Sequence, residues 1–245
     1  MKTIDITYLD HSGFAVVLPG AVLVFDYYRD PSRALPALLM KHPDLPVTFF
    51  VSHGHPDHFN PEIFSLAETR QRTFILSDDI KGSTPMPDGN FVSWVSPGSI
   101  LPDLPGGITV TAFGSTDRGV SFLIESQSHL TLFHAGDLND WHWQDDSTPT
   151  EVKSADDAFD KILSDLSSTV THINVAMFPV DPRLGSDYAR GARKFMHTIA
   201  TDYFIPMHFQ GDANAGCDAT QLSPDNSTRI ECMHTPGQTA TLEFA

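Results

Sequence analysis

Cysteine is nearly absent from this chain: two residues in 245, Cys217 and Cys232. A small secreted scaffold built on disulfides would carry more, in even sets, so no such framework is expected. Long apolar runs are also missing; none approaches the roughly 20 residues that a membrane-spanning helix needs. The N-terminus shows no basic stretch followed by an apolar core, so a secretory leader is not expected and the cytoplasm is the default setting. Basic residues are scarce, 15 Lys+Arg against 31 Asp+Glu, which leaves a formal net charge of −16. A surface of that sign repels nucleic-acid phosphates and anionic membranes. The expected partner is therefore a small-molecule substrate, with neither nucleic acid nor membrane. No repeat period and no linker divides the chain, so 1–245 reads as a single domain.

Hydrophobic residues make up 40% of the chain, enough for a sizeable core. Short apolar or alternating runs at 4–8, 14–18, 21–25 and 47–51 read as strands, with Pro19-Gly20 as a tight turn. Asn60-Pro61-Glu62 predicts a helix start, with Asn60 as N-cap, running to about Arg70. Further strands are predicted at 73–76, 91–95, 108–113, 120–125 and 130–134, then helices at 155–166 and 187–200. Each of those helices is followed by a buried strand, at 173–179 and 203–206, and a polar loop at 211–228 precedes final strands near 229–234 and 240–244. Strands first, then strand–helix alternation in each half, predict stacked sheets with helices outside.

The apolar run 47–51 leads into His53-Gly54-His55-Pro56-Asp57-His58. On an extended backbone residues two apart face the same side, so His53 and His55 point together. Imidazoles suit zinc, iron and manganese, and a nearby carboxylate suits a harder or second ion. Four such groups within six residues point to a metal site and not to packing.

This segment resembles the HxHxDH signature of the metallo-β-lactamase superfamily. Leu132-Phe133-His134-Ala135-Gly136-Asp137 resembles the strand ending in the aspartate that bridges two metals, and Ile205-Pro206-Met207-His208-Phe209 the strand that delivers the last histidine. His11-Ser12-Gly13-Phe14 and Val24-Phe25-Asp26 resemble the opening of the branch that includes ascorbate-6-phosphate-lactonase-like hydrolases. The resemblance implies an α/β fold, the four-layer αββα sandwich. It also implies one or two divalent ions, zinc or manganese, with His53 and His55 on one, Asp57, His58 and His208 on the other, and Asp137 between them. A water shared by the ions would lose its proton near neutral pH, since zinc alone lowers a water pKa to about 7. The hydroxide would attack a small ester, lactone or phosphoester, with Asp57 as the catalytic carboxylate.

The sequence departs from the family at one ligand. Family members usually place a histidine, often within Gly-His-Ser/Thr, ahead of the bridging aspartate; here the segment is Phe113-Gly114-Ser115-Thr116. A serine hydroxyl is a poor zinc ligand beside imidazoles. His134 is the leading replacement, the alternative being a histidine hydrogen-bonded to a ligand or carboxylate. His11, Trp141, His142 and Arg183 are expected to line the substrate pocket, and 211–228 could act as a lid. His234 follows His208 and is not expected to ligate. Two competing readings are a phosphodiesterase or nuclease on the same centre, disfavoured by the acidic balance, and a non-catalytic metal-binding protein.

Overall fold

The computed structural model describes residues 2–83, 92–209, 212–222 and 227–244. Its first sheet combines β1 (Lys2–Asp10), β2 (Gly13–Leu18), β3 (Ala21–Phe25), β4 (Val47–Val51), β5 (Arg72–Ser77) and β6 (Val92–Val95). The second combines β7 (Ile100–Leu104), β8 (Ile108–Phe113), β9 (Ser121–Ser126), β10 (Thr131–His134), β11 (His172–Pro179), β12 (Ala200–Met207) and β13 (Arg229–Ile230). A last strand, β14 (Thr239–Phe244), returns to the first sheet, giving the orders β14-β1-β2-β3-β4-β5-β6 and β13-β12-β11-β10-β9-β8-β7. Each sheet is mixed: β14 to β3 and β7 to β10 pair antiparallel, whereas β3 to β6 and β10 to β13 pair parallel.

The period-two pattern of the strands sorts the side chains into layers. In β3, Ala21, Leu23 and Phe25 face the inter-sheet core, while Val22 and Val24 join a second cluster beneath α1 (Ala34–Lys41). In β4, Phe50 points inward, stacked on Phe25 with ring centroids 4.7 Å apart, and Val47, Phe49 and Val51 point outward. Helices α2 (Pro149–Thr169) and α3 (Arg190–Thr198) cover the other side, with Phe159, Leu163, Leu166 and Phe195 buried against the second sheet. The layers are therefore helix, sheet, sheet, helices: the αββα sandwich.

Several elements differ from the sequence expectation, among them the unexpected strand β7 and an α3 shorter than 187–200; for three others the reason is identifiable. The helix expected from Asn60 to Arg70 is only a short 3₁₀ turn, Pro61–Ser65, although Asn60 does cap it, accepting the Glu62 N–H at 2.9 Å. The carbonyls of Phe64 and Leu66, which a longer helix would use, instead accept from the Arg72 guanidinium at 2.7 and 2.9 Å. Helix α2 starts earlier than 155, because Thr148 and Glu151 form a reciprocal capping box with Pro149 in the first turn. Helix α1 was not anticipated; the Asp30 carboxylate starts it by accepting the Ala34 and Leu35 N–H groups.

Of the strand expected at 91–95, Phe91 lies outside the described residues, as do 211 and 223–226 of the expected loop 211–228. The described part of that loop holds two short helices, α4 (Ala213–Gly216) and α5 (Ala219–Leu222). Cys217 is disulfide-bonded to Cys232, tying this segment to the stretch before β14. Thiol titration of the denatured, unreduced chain should find no free thiol; two titratable thiols would remove the link. Among the described residues no helix is long and apolar enough to cross a membrane.

Candidate metal centre

The topology brings seven chain segments to one end of the sandwich. Strands β3, β4, β10, β11 and β12 end there, followed respectively by Asp26, His53, Asp137, Asp181 and His208. The β1–β2 turn lies at the same end because β2 runs antiparallel to β3, pairing Phe14 with Phe25, and it carries His11. The loop from β8 to β9 also lies there, since β9 runs antiparallel to β10, pairing Phe122 with His134. Gly119 in this loop has φ +69° and sits where a Cβ would lie 1.9 Å from the Ser52 carbonyl oxygen, so only glycine fits. The close approach lets the Val120 N–H donate to Ser52 O at 2.9 Å, joining the two sheets beside His53.

Two groups of potential metal donors result among the described residues: His11, Asp57, His58 and His208, and His53, His55, Asp117 and Asp137. Within each group the ligand atoms all lie within 4.8 Å of one another. The Asp137 carboxylate links them. Its Oδ2 is 3.3 Å from His53 Nε2, while its Oδ1 is 3.0 Å from His58 Nε2 and 3.4 Å from His208 Nε2. Among the described residues, His11 Nε2, His58 Nε2 and Asp137 Oδ1 are buried without a hydrogen-bond partner, a situation that divalent cations would relieve. The donor set therefore fits metal ions.

Buried carboxylates orient two of the imidazoles from behind. Asp26, fully buried, accepts from the Ser52 N–H at 2.7 Å and Ser52 Oγ at 2.6 Å, and its Oδ2 lies 2.7 Å from His58 Nδ1. Asp181, also fully buried, takes His208 Nδ1 at 3.0 Å and is clamped from outside by Arg183. Both rings are thereby left with Nε2 pointing at Asp137. His11, Asp26 and His208 adopt positive φ of 54°, 39° and 59°, so the backbone is held in a sparsely populated region where these side chains must converge.

The electrostatics follow from that packing. Burial opposes a charge on His58, but the carboxylates of Asp137 and Asp26 outweigh it and push its pKa up to about 10. Burial, reinforced by the rings of His208 and His58, pushes His11 down to about 3, which keeps it neutral and able to ligate. For Asp137, burial is outweighed by the imidazoles of His53 and His58 set against its two oxygens, which hold its carboxyl well below the usual range.

The expected residues do not all converge. His53, His55, Asp57, His58, Asp137 and His208 come together as the donor core. His134 does not replace the missing ligand: it lies outside both groups, and backbone atoms occupy both its nitrogens. Its Nε2 hydrogen-bonds to the Ser12 carbonyl at 2.8 Å, its Nδ1 accepts from the Gly136 N–H at 3.2 Å, and its ring stacks on Phe25 with centroids 4.9 Å apart. It thus props the turn that presents His11. His134→Ala should retain the full metal content while lowering stability by about 2–4 kcal/mol, the scale of a large core truncation. Elemental analysis and thermal unfolding would check this, and lost ions in a folded variant would restore His134 as a ligand.

His142 is likewise not pocket lining. It is buried, its Nε2 lies 3.2 Å from the Asp187 carbonyl, and its Nδ1 accepts from the Gln144 N–H. Trp141 and Arg183 do line the cavity over the donors, with Trp143, Thr116 and Asp117; its volume is about 380 Å³. A second cavity, about 680 Å³, is lined by His11, Tyr28, Arg29, Asp57, Phe209 and His234 among others. Asp57 borders both. The sequence reading did not identify Asp117. Its only signal was position, two residues after the serine that stands in the expected histidine's place.

No protein-family model and no curated protein matches the sequence. Solved structures do match. Igni18, a metallo hydrolase from the archaeon Ignicoccus hospitalis, is 18% identical, with TM-score 0.67 over 100% of both chains. The metallo-β-lactamase fold protein YhfI from Bacillus subtilis is 12% identical, with TM-score 0.61 over 98% of this chain and 100% of that one. CmlA, a diiron β-hydroxylase from Streptomyces venezuelae, is 15% identical, with TM-score 0.65 over 98% of this chain and 54% of that one. The chain has the metallo-β-lactamase fold.

Proposed function

We propose that this chain is a metal-dependent hydrolase of a small ester, lactone or phosphoester. The observation that carries the reading is the pair of His/Asp donor groups joined by Asp137 on the floor of an open cavity. His53, His55 and Asp137 would hold one divalent ion, and His58, His208, His11 and Asp57 a second, zinc or manganese in character. Ions bound there polarise a carbonyl or phosphoryl oxygen and make water acidic enough to attack near neutral pH.

The chain's own residues supply the rest. The Asp57 side chain is 43% exposed and borders both cavities, which suits it to orient the attacking water and accept its proton. Trp141 and Trp143 stack at 6.4 Å between centroids, 16° from parallel, as a flat wall for an apolar substrate portion. Trp141 is fixed by donating Nε1–H to the Asp137 carbonyl at 2.8 Å. The Arg183 side chain is 51% exposed at the rim and suits a carboxylate or phosphate on the substrate. The turn carrying His11 supports the lactonase-like branch, because it builds the N-terminal motif into the metal centre.

Hydrolysis of a panel of p-nitrophenyl esters, lactones and p-nitrophenyl phosphates is the direct test. Activity should vanish on chelation and return with Mn²⁺ or Zn²⁺. Full ion occupancy without turnover of any class would leave the non-catalytic reading, and turnover confined to phosphodiesters would favour the phosphodiesterase one. Trp143→Ala should raise KM roughly three- to tenfold with ion content unchanged, the scale of a lost aromatic contact; an unchanged KM would remove the wall from the substrate site.

A further inference from the structure

We infer that Asp117 closes the first ion's ligand set in place of the histidine absent at position 115, making that site carboxylate-rich and selective for manganese over zinc relative to the second. The inference rests on the metal-centre reading above.

Three observations carry it. Asp117 Oδ2 lies 3.5 Å from His55 Nδ1, in the same donor group as His53 and Asp137. The loop bearing Asp117 is stapled on both sides. Before it, Thr116 Oγ1 donates to Asn139 O at 2.5 Å and accepts the Asn139 N–H at 3.0 Å, two residues beyond Asp137. After it, Val120 is bonded to Ser52, the residue before His53. Ser115 itself shapes the turn, its Oγ accepting the Asp117 N–H at 3.3 Å. A serine at the histidine's place thus bends the loop so that the carboxylate two residues on faces the donors.

The two sets then differ in kind. The first has two imidazoles and two carboxylates; the second has three imidazoles and Asp57, with Asp137 alongside. Replacing an imidazole by a carboxylate hardens a site, shifting its preference from zinc toward manganese. The Asp117 and His55 side chains are 44% and 36% exposed, so this ion would face the cavity and solvent.

The test is ion counting, independent of turnover. Chelator-stripped protein is refilled with Mn²⁺, Zn²⁺ or an equimolar mixture, desalted and subjected to elemental analysis, with circular dichroism and thermal unfolding to confirm folding. The wild-type chain should hold two ions, and folded Asp117→Ala one. Asp117→His should hold two and take an order of magnitude more zinc relative to manganese from the mixture. An Asp117→Ala chain whose ion count equals the wild type's, whether two or one, overturns the assignment. Unchanged selectivity in Asp117→His overturns the preference. A wild-type chain that takes up no ion overturns both this and the metal-centre reading.

Discussion

Asp137→Ala should lose both ions and, with them, at least about two orders of magnitude of any hydrolytic rate, the scale on which removal of one electrostatic stabiliser slows an enzyme. The expectation follows from where its two oxygens lie: Oδ2 faces His53, and Oδ1 faces His58 and His208. No other described carboxylate spans both donor groups, so neither ion keeps a full set when it goes. The imidazoles are left facing one another, and two cations in the same space repel without the shared anion between them. His55→Ala should have a similar effect through the first ion alone. Elemental analysis of the purified Asp137→Ala chain checks the prediction, and unchanged ion stoichiometry would sink the bridging role.

Asp26→Asn carries the second large effect, although Asp26 is in neither donor group. At neutral pH Asp26 is ionised: burial opposes its charge, but His134 and His58 outweigh it and lower its pKa. It therefore accepts a hydrogen bond from His58 Nδ1–H, which leaves Nε2 as the nitrogen that an ion would take in exchange for its proton. Asparagine of nearly the same shape can keep one oxygen on the Ser52 N–H, but it presents an amide donor to His58 Nδ1. That favours the other tautomer, with the proton on Nε2, where an ion must bind. Affinity at the second site should fall about 10- to 100-fold, the usual cost of removing such a partner, while the first site keeps its ion. Asp26→Glu would not rescue, because the residue is fully buried against Ser52 and has no room for a methylene. Titration of apo protein with Mn²⁺ followed by paramagnetic resonance would resolve the two sites, and equal affinities in wild type and Asp26→Asn would refute the tautomer argument.

Both predictions show where the sequence was readable. The cluster His53–His58, with Asp137 and His208, was visible because ligand-type residues stand directly after apolar strand runs, where their types and spacing can be read locally. The layer pattern was visible for a similar reason: period-two apolar runs such as Val47–Val51 depend on burial of local side chains and not on any particular partner. Helix lengths were less legible. Arg72 capturing the carbonyls of Phe64 and Leu66 is a long-side-chain event that no local propensity encodes.

The missing ligand is the sharpest case. A histidine at position 134, on the strand leading to Asp137, looks like a replacement when read along the chain. In space, its ring faces inward between Phe25 and the Ser12 carbonyl, because residues alternate sides of a strand and β10 commits position 134 to the core. Asp117 carries no motif, and only the stapling of its loop to Asn139 and Ser52 brings it beside His55. The sequence alone thus determined the chemistry on offer, namely imidazoles and carboxylates at the ends of buried strands, since that depends on residue type and local periodicity. The tertiary structure decided which of them meet, because convergence at the end of the sandwich depends on parallel pairing, on positive-φ turns at His11 and His208, and on glycine contact between the sheets, none of which is local.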